Sequence, residues 1–421
     1  MKGVFMDNES IITALKNGNV PPSGVRSICL GRDKEIEEIE YLLDKVDEGK
    51  SFTRFLNGEY GAGKSFFLKV VEEIAYDEGF VVAWVTLSND VPFNKIDVVY
   101  RNIAKNLRCK TGTSLEHIID RWVIKLRMFA SNESQDLQDY NKFVNENIAN
   151  DLKETREHSN SFALAIENYC KFRNEGNDEL ANYAISWLRG DANIPFTQKR
   201  KFGVKGDIDK ENAIDFLEAL SIFVKSIGYS GLVVLIDEAE FIMNLHTSKI
   251  RDVAYNYIRD IYDDCNKGNF QNSLFIFAGT PQFFDDPKKG IPSYQALDDR
   301  ITDMLDTDLK DMRKPIIKLE GFTNEELVDV AYTLIDMHGE IYGWDANEKI
   351  SPILDQIVKS HEEKALLTGG KVTPRTFVRS LISLLDTVQQ NQSQINDSSD
   401  ILKIFNENET ELEDDFDDDD W

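Results

Sequence analysis

A run of eight residues, Gly58-Glu59-Tyr60-Gly61-Ala62-Gly63-Lys64-Ser65, constrains the fold more than any other feature of the chain. Glycines at 58, 61 and 63 let the backbone turn tightly without a Cβ clash, and Lys-Ser follows at once. The preceding 51–57 is rich in Phe and Leu and predicts a short strand; the following 64–75 carries the apolar spacing of a helix. Strand, glycine turn and helix opening on Lys-Ser is the arrangement of a phosphate-binding loop. Backbone amides and the helix N-terminus suit an anion, Lys64 brings a point charge to the β and γ phosphates, and the Ser65 hydroxyl suits magnesium. The run predicts ATP with Mg2+ as ligands, held by Gly58, Glu59, Tyr60, Gly61, Ala62, Gly63, Lys64, Ser65 and Phe66.

Apolar runs at 80–87, 231–236 and 274–278, with a shorter one at 315–319, read as buried strands. They alternate with helical patterns at 94–107, 212–226 and 248–265, which predicts an α/β core with a central parallel sheet over 31–322. Between 108 and 206 the pattern is polar and mostly helical, as in a helical insertion. After Phe322 only helices are predicted, over 323–390, as a small helical lid. The first of them is capped by Thr323 with Glu326 three residues on. Residues 1–30 form an N-terminal extension. The Asn-, Ser- and Asp-rich 391–421 is expected to be a disordered acidic tail, either solubilising, or docking a partner or mimicking DNA.

Further residues carry chemistry. Leu232-Val233-Val234-Leu235-Ile236 ends in Asp237-Glu238, which delivers two carboxylates to the C-terminal edge of a parallel sheet, where ligands bind. Asp237 is expected to hold magnesium and Glu238 to polarise an attacking water. Thr280, after the strand 274–278, presents a hydroxyl to the γ-phosphate or simply caps the strand. Arg300 and Arg375 are the two arginines placed to stabilise charge on a transferring phosphoryl group, Arg300 from a neighbouring copy. The plain alternative for each is a surface salt bridge.

Composition excludes several classes. No run of about 18 apolar residues occurs, and 1–14 lacks the apolar core of a signal peptide, so a cytoplasmic protein away from membranes is expected. Cys29, Cys109, Cys170 and Cys265 are far apart and read as small buried hydrophobes rather than zinc ligands. Net charge is −27, and the ten acids from Glu407 onward leave −17 on the remainder. A broad DNA footprint, which rests on Lys and Arg neutralising phosphates, is therefore not expected, although a local basic patch stays open.

These elements resemble the AAA+ superfamily of P-loop ATPases. Gly31-Arg32-Asp33-Lys34-Glu35 is similar to the box that opens its origin-recognition and STAND-like branches. Lys64 and Asp237-Glu238 match the Walker A and B positions, Thr280 matches sensor 1, and Thr373-Pro374-Arg375 resembles sensor 2, which adds Arg375 to the nucleotide-binding set. The segments Leu235-Ile236-Asp237-Glu238-Ala239-Glu240 and Ala278-Gly279-Thr280-Pro281-Gln282-Phe283-Phe284 resemble the ATP-binding proteins of BREX-type phage-defence operons, as does the stretch 289–297. That resemblance implies a role against foreign DNA beside a helicase or other defence proteins. The reading is an ATPase that drives or gates assembly of a defence complex, self-associating through Arg300. Its alternatives are a nucleotide-gated switch with negligible turnover and a DNA-bound loader. Relatives usually carry a DNA- or effector-binding domain after the lid; with 391–421 polar and acidic, the insertion is expected to be the specialised surface.

Overall fold

The computed structural model describes residues 8–133, 136–302, 311–367, 373–395 and 397–417, without the side chains of 133, 137 and 411–417. Six strands form one sheet: β1 Ser51–Asn57, β2 Val81–Thr86, β3 Leu107–Arg108, β4 Leu232–Asp237, β5 Ser273–Gly279 and β6 Ile316–Lys318. Their order across the sheet is β3-β2-β4-β5-β1-β6. The strands β2, β4 and β5 run parallel, with Thr86 beside Asp237 and Ile236 beside Phe277. Strand β4 is buried along its whole length, as its unbroken apolar run requires. The two-residue β3 pairs antiparallel with β2, an edge too short to leave a sequence signal.

Two compact units are formed. One comprises 37–56 and 74–317, hence most of the sheet and the helices of the insertion. Its core is strongly aromatic: Phe277 stacks on Phe55 at 5.5 Å and meets Phe93 edge-on at 5.5 Å. The insertion is helical as expected, from Leu115–Glu133 through Phe196–Lys201. Trp187 and Phe162 each pack on Phe216, and all three join that same core.

The other unit gathers the described residues of 1–36, 57–73 and 318–421. Its core combines Ile11 and Ile12 of the helix Asn8–Lys16 with the helices Asn324–Tyr342, Leu354–Leu367 and Pro374–Gln390. Thr323 and Glu326 complete the expected capping box, each side chain taking the other's backbone N–H. Thr373 caps Pro374–Gln390, with proline at the first helical position, where its missing N–H costs nothing.

The tail expectation is corrected over most of its length. Residues Ser398–Asp417 form a helix, with Ile401 and Phe405 buried against the helices 354–367 and 374–390. Two apolar residues four apart dock that helix; the surrounding polar composition hides the pattern. The acidic residues beyond 417 lie outside the described residues.

Candidate functional site

The glycine run adopts the conformations its composition foretells. Gly61 and Gly63 have φ of 77° and 91°, a region costly for any residue with a Cβ. The 14-residue helix Lys64–Asp77 starts immediately afterwards and is anchored by Phe67 and Leu68. It stops at Gly79, φ 84°, where Phe80 N–H donates back to the Ala75 carbonyl at 2.8 Å. Lys64 is 8% exposed, and its ammonium donates to the carbonyls of Gly58 at 2.9 Å and Glu59 at 3.2 Å. The cation thus lies within the loop, next to a helix N-terminus whose first amides lack intrahelical partners.

Two side chains crowd this loop within its own unit. A Cβ on Gly61 would fall 2.7 Å from Thr373 Oγ1, and a Cβ on Gly58 would lie 3.3 Å from both Leu319 and Lys64. Glycine at 61 is therefore required twice, by φ and by Thr373. Phe66, expected at the nucleotide, packs against the apolar core of the C-terminal helices. Arg375 is near Gly18, where a Cβ would come within 2.8 Å of its Nε. Thr373, the N-cap of helix 374–390, thus lies beside the loop at Gly61, a placement with no local signal in the sequence.

The opening box also acquires a physical role. Gly31 has φ 70°, and a Cβ there would strike Glu326 at 2.6 Å. Arg32 is 5% exposed; it donates to the Glu320 carbonyl at 2.5 Å and lies 4.9 Å over the Phe322 ring. Glu35, 3.9 Å from Arg32, is buried as well. The box ties its segment to 320–326, the entry to the helical region.

In the sheet-bearing unit, β4 ends at Asp237, 5% exposed, whose Oδ1 accepts the Glu238 N–H at 3.0 Å. Glu238 has φ 58° and ψ 42°, a left-handed conformation that costs a residue other than glycine about 1–2 kcal/mol. Such strain collects at functional positions, and here it turns the chain sharply between β4 and the short helix Ala239–Asn244. On neighbouring β5, Gly279 is followed by Thr280, at the same C-terminal end of the parallel pair. Thr280 makes no side-chain cap to the helix Pro281–Asp285.

Arg300 forms a fork with Asp263, Nε to Oδ1 at 2.6 Å and Nη2 to Oδ2 at 2.9 Å. That hydrogen bond holds the Asp263 carboxyl below its ordinary range. This is the salt bridge left open by the sequence, between residues too distant along the chain to be paired by pattern alone.

The four cysteines are buried and free. Burial pushes the thiols of Cys29, Cys170 and Cys265 up to about 12, so they are poor nucleophiles and poor metal ligands. Among the described residues no group of three or more His, Cys, Asp or Glu is placed to hold a metal ion, and no helix is long and apolar enough to cross a membrane. Magnesium does not require such a cage, since it binds through one or two protein oxygens together with phosphates and water. The loop fits a triphosphate: a buried ammonium and turn-forming glycines lie in one short stretch at the start of a helix.

A family model described as BREX system ATP-binding protein BrxC/D matches residues 6–401. No curated protein matches the chain.

Proposed function

The chain belongs to the family of BREX system ATP-binding proteins BrxC/D, and on that premise we propose that it is an AAA+-type P-loop ATPase whose turnover drives or gates assembly of an anti-phage complex. Binding of ATP is the family's stated property. The observation that carries its placement is Lys64, buried inside a glycine turn at the start of a 14-residue helix. In this reading the amides of 58–65 and the Lys64 ammonium hold the phosphates, with Phe66 and Arg375 completing the nucleotide site. By the motif resemblance Ser65 and Asp237 would hold magnesium, which would supply neutralisation of phosphate charge. Glu238 orients and polarises water, and Thr280 offers its hydroxyl to the same chemistry.

Arg300 is proposed as the contact to a second copy. Its fork with Asp263 leaves the side chain 35% exposed. Surface pairs of this kind contribute only about 0–1 kcal/mol, so surrendering the pair to an incoming phosphate costs little. Self-association, a cytoplasmic location and other defence proteins as partners, a helicase among them, belong to the same proposal.

Hydrolysis is tested by phosphate release from wild type and Glu238→Gln. The expected result is turnover in wild type and at least about a hundredfold loss in the variant, with ATP still bound. No release from wild type, with or without DNA, would sink the hydrolytic reading. The close approach of Thr373 to Gly61 favours a second reading, a nucleotide-gated switch. A phosphate that reshapes the loop would press directly on the start of helix 374–390. Equal function of wild type and Glu238→Gln would select the switch.

A further inference from the structure

The insertion contains a local reversal of the chain's acidity. Residues 195–206 include Lys199, Arg200, Lys201 and Lys205 and no acid, in a chain of net charge −27. They form the helix Phe196–Lys201 and a loop whose Phe202 and Val204 are buried. The loop is fixed to its unit by Asn168, which donates to the Phe202 carbonyl at 3.3 Å, and by Trp187, whose Nε1 donates to the Gly206 carbonyl at 3.1 Å. Lys199 is structural: it is 6% exposed and donates to Asp207 at 2.8 Å. Arg200, Lys201 and Lys205 are exposed instead.

Phe196 is 58% exposed and stands four residues before Arg200, on the same face of the helix. A lone exposed ring needs no explanation. A ring beside one exposed cation, on an anchored segment that carries two more, has a specific chemical complement, a polyanion that carries flat apolar groups. Single-stranded nucleic acid meets that description, because unpaired bases stack on aromatic rings while phosphates meet Lys and Arg. A duplex keeps its base faces covered and would leave the ring unused. The chain's overall charge does not forbid binding, since charges beyond about 10 Å are largely screened at 0.1 M salt.

We propose that segment 196–205 binds single-stranded nucleic acid, with Arg200, Lys201 and Lys205 on successive phosphates and Phe196 beneath a base. The site is independent of the glycine loop and is tested on the full chain without ATP. Fluorescence anisotropy with a labelled oligothymidylate of about 20 nucleotides, titrated at several salt concentrations, reads both affinity and charge contacts. With three phosphate contacts, the affinity should fall with a log–log salt slope of about −2. Combined Arg200→Glu, Lys201→Glu and Lys205→Glu should abolish that slope and nearly all binding. Phe196→Ala should weaken binding about tenfold with the slope unchanged. All four positions are exposed, so the melting temperature should not move, and Phe196→Ala gives a readout free of charge reversal. No binding by wild type, or equal affinity and slope in the triple variant, would overturn the proposal. So would a triple variant that keeps the oligonucleotide but loses a peptide of sequence 407–421, which would make the patch a protein-docking surface.

Discussion

The unit that carries the sheet buries rings against rings, whereas the unit that carries the glycine run joins distant pieces of chain through polar pairs, some of them buried. In the first, Phe277 of β5 stacks on Phe55 of β1 and meets Phe93 edge-on. In the second, the Glu73 carboxylate accepts the backbone N–H groups of Gly24 at 2.5 Å and Arg26 at 3.1 Å. Asp386 takes Lys16 at 2.5 Å and His338 at 3.0 Å, and Trp344 donates to the other His338 nitrogen at 3.0 Å. Burial lowers the pKa of His338 more than Asp386 raises it, which suits a neutral ring with Nε2–H facing the carboxylate. Burial works against the Asp386 charge, yet these two hydrogen bonds hold its carboxyl below the usual range. His361 Nδ1 and Glu409 Oε1 meet at 2.5 Å with both side chains buried. Apolar packing tolerates changes of pH; a unit assembled from polar ties depends on the charge state of each tie.

The largest expected effects set the two units side by side. Phe277→Ala should cost about 3–5 kcal/mol in denaturant unfolding, because a fully buried ring leaves a cavity. His361→Ala should cost a similar ~3–5 kcal/mol for a different reason, the stranding of a buried Glu409 carboxylate. The double change His361→Leu with Glu409→Leu separates the causes: it should recover most of that loss, since replacing both members of a buried pair is often neutral. No comparable rescue exists for Phe277→Ala. If the double variant is as unstable as the single one, the polar-tie description of this unit is wrong.

A smaller effect marks an exception inside the aromatic unit. Burial, with help from Asp264 and Asp215, pushes the Glu218 carboxyl up to about 7. A group whose folded pKa is raised supports the fold while protonated, and that support is lost as pH rises through 7. Glu218→Gln should therefore stabilise the protein on the order of 1 kcal/mol at pH 8 and change nothing at pH 4. Thermal melts at the two pH values check it, and an equal shift at both would remove the electrostatic cause.

What could be read in the sequence followed the length of the pattern. The glycine run, the β4 run ending in Asp237 and the Thr323–Glu326 box are each complete within a few residues, and the structure forms each where it was expected. The helix Ser398–Asp417 was illegible because its burial comes from partners elsewhere: Phe405 meets Phe377, and Glu409 meets His361. The Arg300–Asp263 fork and the approach of Thr373 to Gly61 are tertiary facts without a local signal. The left-handed backbone of Glu238 was equally invisible, since glutamate does not announce a positive φ.

Isothermal titration of ATP into wild type and Lys64→Ala tests the assignment of the glycine loop most directly. Wild type should bind ATP with magnesium, and Lys64→Ala should weaken binding at least about a hundredfold, as expected for removing a buried charge-assisted contact to phosphate. Equal affinities in the two proteins, with unchanged melting temperatures, would contradict it.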